Sequence, residues 1–160
     1  MTVPSKLIVT DTLWNQTIEV LQQYTPKELE AGCFWYGLRG EEAAAALVLG
    51  IPRQINRPRN FEIPADDLVA LINAACEPAG LVAVAQLHIH PGADVRHSLW
   101  DDKQVVSKNV YSLVIPNYCK PPVLFESIGI HRFENGRWNR MSCESARGAV
   151  IITACLVDTR

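Results

Sequence analysis

The chain has 160 residues, 48% of them hydrophobic, and a formal net charge of −2. One domain spanning residues 1–160, with a real core, fits that length and composition; an intrinsically disordered chain does not. The near-balanced charge argues against nucleic acid or an anionic membrane as partner, no apolar run approaches the ~20 residues of a bilayer span, and no signal-peptide pattern opens the sequence, so a soluble, cytoplasmic protein is expected.

Lys6 to Thr10 reads as a strand, and Asp11 to Gln23, with Leu13, Ile18, Val20 and Leu21 at broadly helical spacing, as a helix. Thr25-Pro26-Lys27-Glu28 can open a further helical turn, since proline suits the first helical position. Gly32 to Leu38 and Ala44 to Leu49 read as strands joined by Arg39-Gly40-Glu41-Glu42. Arg53, Arg57 and Arg59 then cluster in a segment read as a solvated loop. A helix is expected from Pro64 to Cys76, broken by Pro78-Ala79-Gly80 before the apolar run Gly80 to Leu87. Beyond it come a helix opening near Leu99, with Val105 and Val106 continuing its apolar pattern, and a strand over Val110 to Ile115. The segment Asn117 to Pro122 reads as a loop. Val123 to Phe133 and Trp138 to Met141 are expected to pair as strands across Glu134-Asn135-Gly136-Arg137, whose Asn-Gly is a strong hairpin signal. Gly148 to Val157 fits either a strand or a buried helix. This order of elements implies one mixed α/β sheet flanked by helices.

Five widely spaced cysteines without a C-x-x-C pair suit reduced thiols rather than a disulfide framework or a Cys-rich zinc module. Cys33 and Cys155 lie in apolar runs and are expected in the core, with no local mark of a nucleophile on any cysteine. Phe34, Trp35 and Tyr36 are core candidates.

The chemistry concentrates in His88-Ile89-His90-Pro91, followed by Ser98 and Asp101. Alternate residues of an extended segment share a face, so His88 and His90 can reach one metal ion. Pro91 donates nothing to a sheet ladder and should end the strand there. Two histidines and Asp101 leave a fourth position on zinc for water, as in a catalytic site. Ser98-Leu99-Trp100-Asp101 also has capping-box spacing, with Ser98 as N-cap, and that turn would aim Asp101 back at the histidines. An H-x-H at a strand end is common on its own; the full spacing is what points to a metal site.

The run His88-x-His90-Pro91, six residues, then Ser98-x-x-Asp101 resembles the signature of JAMM (JAB/MPN) metalloproteases. Glu30, seven residues before Gly37, resembles the family's glutamate element at the end of its first helix; Cys33 departs from the glycine many members carry, and Glu28 competes for the same assignment. The resemblance covers roughly residues 5 to 115 and implies the MPN/JAB (cytidine-deaminase-like) fold, a Zn2+ cofactor held by His88, His90 and Asp101, and Glu30 and Ser98 as catalytic residues. Glu30 would take a proton from water and pass it to the leaving amine. Ser98, near the metal by its spacing, would donate to a tetrahedral oxyanion. The implied substrate is a ubiquitin-like protein or its conjugate, deconjugated or matured after its C-terminal tail by a short bacterial-type enzyme, in a conjugation or antiviral pathway. Arg53 to Asn60 and Asn117 to Pro122 resemble the two insertions that clamp such a tail.

Other readings stay open: a peptidase acting on a sulfur-carrier protein, a non-catalytic scaffold of the same fold, or a structural zinc site with His97 as a distorted fourth ligand. His97 is expected at the surface or behind the ligands, His131 as a hydrogen-bonded sheet histidine, and Trp100 in the core or walling the substrate channel.

Overall fold

The computed structural model describes residues 3–104 and 107–159. Val105 and Val106, which contributed to the expected helix after Ser98, lie outside the described residues.

The N-terminal strand β1 (Lys6–Thr10) runs directly into α1 (Asp11–Gln22). Thr10 makes that switch: its hydroxyl accepts from Leu13 N at 3.2 Å, and Asp11 places a negative charge in the first turn. Leu13, Thr17 and Leu21 recur four apart on the buried stripe of α1. A 3-10 turn at Thr25–Lys27 follows, then β2 (Gly32–Arg39) and β3 (Ala43–Gly50), which pair antiparallel.

β2 lies inside the sheet and is buried on both faces, so it reads as an almost unbroken apolar run. Trp35 faces α1, edge-on to Trp14 with ring centroids 6.1 Å apart, and its Nε1 donates to Thr17 Oγ1 at 2.9 Å. Phe34 and Tyr36 face the other way, against Leu68, Leu71 and Ile72 of α2 (Ala65–Cys76). At Gly37 a β-bulge brings the neighbouring strand so close that an added Cβ would lie 1.8 Å from Ala45 O.

The rest of the sheet comprises β6 (Val82–Ile89), β7 (Tyr111–Ile115), β8 (Gly129–Glu134), β9 (Arg137–Arg140) and β10 (Val150–Thr153). The eight strands run β10-β1-β3-β2-β6-β7-β8-β9. Parallel pairs (β1 with β10 and β3, β6 with β7) mix with antiparallel ones, and helices cover both faces, as the alternation of elements implied. None of the helices is long and apolar enough to cross a membrane among the described residues.

Four segments differ from expectation. The arginine-rich segment is not a plain loop: β4 (Ile55–Arg57) and β5 (Asn60–Glu62) form a separate hairpin. The strand expected from Val123 begins only at Gly129. Val123, Phe125 and Ile128 bury alternately against the core around a 3-10 turn at Phe125–Ser127, which imitates strand periodicity without ladder bonds. The ambiguous C-terminal run resolves into the end of a helix, α4 (Cys143–Ala149), and the short strand β10 parallel to β1. Cys155, expected in the core, is exposed because it lies beyond β10. The β8–β9 turn has positive φ at both Asn135 and Gly136, the twist that a two-residue hairpin connection requires.

Candidate metal centre

Strand parity builds the centre. Leu87 and Ile89 point into the core shared with α1, while Gln86, His88 and His90 occupy the opposite face, toward α2 and the β4–β5 hairpin. β6 ends before His90, as Pro91 demands, yet His90 N still donates to Ile115 O at 2.8 Å and keeps the strand's direction. Both imidazoles are buried, with their Nε2 atoms 3.0 Å apart.

The Asp94 carbonyl sets the form of His90. It lies 2.7 Å from Nδ1 and can only accept, so Nδ1 carries the proton and Nε2 of the neutral ring presents a lone pair. That lone pair faces His88 Nε2 and, at 3.2 Å, Asp101 Oδ2; Asp101 Oδ1 is 3.4 Å from His88 Nε2. The helix α3 (Leu99–Gln104) aims Asp101 through a reciprocal capping box, in which Asp101 N donates to Ser98 Oγ at 3.1 Å and Ser98 N donates to Asp101 Oδ2 at 2.6 Å.

His88, His90 and Asp101 each offer one ligand atom, all within 4.8 Å of one another. Lone pairs and a carboxylate converging on one buried point repel unless positive charge lies between them. Without an ion, protons can take that part, the imidazole nitrogens then donating to the carboxylate. Burial alone would raise the Asp101 carboxyl, but the facing imidazoles and the Ser98 N–H outweigh it and hold it well below the usual carboxylate range. Burial lowers His90, yet Asp101, the Asp94 carbonyl and Glu30 together leave it raised. Two imidazoles and one carboxylate form a donor set suited to a first-row divalent cation. Among the described residues no fourth His, Cys, Asp or Glu atom joins them. His97 in particular is engaged elsewhere, its Nε2 lying 2.7 Å from Ser112 Oγ.

Glu30 is 4% exposed and lines the same cleft as His90 and Ser98. Burial pushes its carboxyl up to about 7, with His90 opposing the shift and Asp101 adding to it. It does not sit at a helix end as the resemblance implied. It lies in the link between the 3-10 turn and β2, and the β4–β5 hairpin holds it there: Glu30 N donates to Arg57 O at 2.8 Å and Asn56 Nδ2 donates to Glu30 O at 2.9 Å. Gln54 imitates a strand beside Gly32, accepting from Gly32 N and donating to Gly32 O, both at 2.8 Å. Glu28 is exposed and pairs with Lys120 at 2.9 Å, so the competing carboxylate faces away.

The cleft over these groups has a volume of about 840 Å³. Arg59 walls it from the hairpin and Tyr118 from the loop after β7. Asn117, Tyr118 and Cys119 all have positive φ (55°, 51° and 60°), which costs roughly 1–2 kcal/mol per non-glycine residue. Tertiary bonds hold them: Tyr118 N donates to His90 O at 2.7 Å, Thr25 Oγ1 donates to Tyr118 O at 2.6 Å, and the Tyr118 hydroxyl donates to Pro58 O at 2.8 Å. Trp100, exposed rather than core, ties α3 to the hairpin by donating from Nε1 to Phe61 O at 3.1 Å.

All four histidines of the chain gather here. The His97 ring is edge-on to His88 and stacks on Trp138 at 4.8 Å. His131 is a sheet histidine as expected but only half satisfied: Nδ1 bonds Ser112 O at 3.4 Å, and buried Nε2 has no partner. Burial, and then the neighbouring histidine of the pair, lower both imidazoles to about 4; for His97 the first neighbour is His88, and for His131 it is His97. Cys33 is fully buried and its thiol is pushed up, which removes it as a nucleophile. Gln54 and Asn56 carried no signal in the sequence, since they act on backbone atoms of distant residues, and Asp94 carried none because its own backbone carbonyl does the work. Tyr118 was readable only as part of a loop.

No family model matches the chain. A Sinorhizobium fredii protein named "Probable metalloprotease y4jG" is 28% identical over 132 residues, covering 78% of this chain and 80% of that protein. The solution structure of a Desulfitobacterium hafniense protein matches with a TM-score of 0.69 at 16% identity over 94% of both chains. A Salinibacter ruber protein matches with a TM-score of 0.59 at 20% identity, over 91% of this chain and 90% of that one. At such identities the two structures share a fold with this chain, whereas the similarity to the probable metalloprotease and the buried His88-His90-Asp101 cluster both point to a metal ion.

Proposed function

We propose that the protein is a zinc-dependent peptidase of the JAMM type, with the MPN/JAB arrangement of sheet and helices, that cleaves after the C-terminal tail of a ubiquitin-like protein. The observation that carries this reading is the convergence of His88, His90 and Asp101 on one buried point, with Glu30 beside them and no further ligand among the described residues. Zinc bound there would lower the pKa of a bound water to about 7 and polarise the scissile carbonyl as a Lewis acid.

The chain's own groups supply the proton traffic. A Glu30 carboxylate oxygen takes one proton from the attacking water as its oxygen bonds to the carbonyl carbon. When the carbon–nitrogen bond breaks, Glu30 returns that proton to the departing amine nitrogen. Burial, which raises this carboxyl in the metal-free protein, favours the acid half of that cycle, and a cation beside it would favour the base half. Ser98 Oγ accepts from Asp101 N, which leaves the hydroxyl hydrogen free to donate to the oxygen that gains charge. The cleft of about 840 Å³, lined by Arg59, Ser98 and Tyr118, has room and polar groups for an extended tail beside the hairpin. Tails of ubiquitin-like modifiers and of sulfur-carrier proteins offer the same chemistry, and substrate comparison separates them.

The test is cleavage of tail–extension fusions of both kinds by zinc-loaded protein. Cleavage after the modifier tail is expected, with Glu30→Gln retaining the metal and losing at least 100-fold in kcat. Metal-loaded Glu30→Gln that still cleaves would remove Glu30 from its role, and a metal-loaded wild type that cleaves neither class would reject the reading.

A further inference from the structure

The peptidase reading leaves one charged cavity unused. Strand register sets Gln86, Ser112, His131 and Arg140 opposite one another across β6, β7, β8 and β9, so they project from the same face as the metal centre. Gln86 Nε2 donates to Ser112 Oγ at 3.1 Å, and Ser112 in turn meets His97 Nε2 at 2.7 Å. At the outer end of this polar row lies a cavity of about 370 Å³, walled by His131 and Arg140, by Arg137 and Trp138 of β9, and by Arg96 and His97.

Its charges do not cancel. Asp94 engages Arg96 at 2.6 Å, whereas Arg137 and Arg140 form no ion pair among the described residues. Lys108 lies in the adjoining hollow, which also shares Arg137 and Trp138. Asp102, 3.3 Å from His97 Nδ1, is the one carboxylate among the described residues lining either space. Arg137 and Arg140 at the cavity and Lys108 beside it outnumber Asp102, so positive charge is in excess here on a chain of net charge −2. Such a concentration attracts anions, and the guanidinium fork matches the two oxygens of a carboxylate.

His131 adds an independent mark. A buried ring nitrogen without a partner is costly, and Nε2 is one. With an anion in the cavity, the doubly protonated ring would donate from Nδ1 to Ser112 O and from Nε2 toward the anion, leaving neither nitrogen orphaned.

We propose that this cavity is an anion-binding subsite that receives a carboxylate of the substrate's leaving fragment. The cavity shares Arg96 and His97 with the cleft over Glu30, and it lies toward β8 and β9, whereas the tail-holding hairpin lies toward β2. The word "leaving" rests on the peptidase reading; binding of the anion does not.

Calorimetric titration of the full-length protein with N-acetylglycine, its neutral amide and inorganic phosphate tests this without turnover. N-acetylglycine is expected to bind saturably, the amide at least tenfold more weakly. Arg137→Gln/Arg140→Gln should weaken the carboxylate at least tenfold, while Arg147→Gln, on α4 and paired with Glu126, leaves it unchanged. Binding that survives the Arg137/Arg140 pair, at the metal centre or elsewhere, overturns the proposal, and a tenfold preference for phosphate overturns the carboxylate assignment. If the peptidase reading fails, no variant turns over substrate and the calorimetric result stands alone.

Discussion

At His90 the Asp94 carbonyl decides which nitrogen faces the centre, and at Ser98 one hydroxyl both caps a helix and faces the cleft. Those two functions of Ser98 separate in Ser98→Ala. Loss of the cap costs about 1 kcal/mol of stability, read from denaturant midpoints. Loss of an oxyanion donor lowers kcat by about 100- to 1,000-fold with the metal retained; a fall in stability alone would leave Ser98 a cap. The buried histidines predict the acid response of the metal-free protein. His97 and His131 fold with values of about 4, below the ordinary 6.5, so the unfolded chain takes up their protons first. Their contribution is complete above pH 6.5 and is lost as pH falls toward 4. Glu30, raised from 4.5 to about 7, acts oppositely and lowers stability as pH rises through that interval. His131→Gln should therefore flatten the loss of stability between pH 6.5 and 4.5; an unchanged slope would show that His131 is protonated in the folded protein.

The elements divide by how local their causes are. β1, α1, β2, β3, α2, β6 and β7 were legible because capping residues, prolines and apolar period all lie within the element. The gathering of His88, His90 and Asp101 was legible for the same reason: β6 parity and the Ser98 capping box bring them together within fourteen residues. The β4–β5 hairpin was not legible. Its strands are only three residues each, and the side chains that anchor it, Gln54 just before β4 and Asn56 within it, bond Gly32 and Glu30 more than twenty positions away. The stretch from Val123 misled because burial alternated there without strand pairing. The hairpin's role gives its own prediction. Gln54→Ala and Asn56→Ala remove side-chain bonds that hold the backbone from Glu30 to Gly32, each worth roughly 0.5–1.5 kcal/mol. Each should lower kcat about tenfold or more while metal content stays at the wild-type level. Unchanged kcat in both would mean that the Arg57 O bond to Glu30 N suffices.

Across the whole molecule, the two histidines end a buried strand whose parallel neighbour, β7, carries Ser112 into the polar row behind them. A crevice at the carboxyl ends of adjacent parallel strands is where open α/β sheets place their ligands. The sheet thus fixes the imidazoles rigidly, α3 aims the carboxylate in, and the hairpin holds Glu30 in the link before β2. The centre depends on the donor set being complete at three. Metal content per chain after zinc loading and exhaustive dialysis tests that most directly. The account predicts one ion per wild-type chain, and less than about a tenth of that in folded His90→Asn or Asp101→Asn. Full occupancy in either variant, or a wild-type protein that holds no divalent cation, would contradict it.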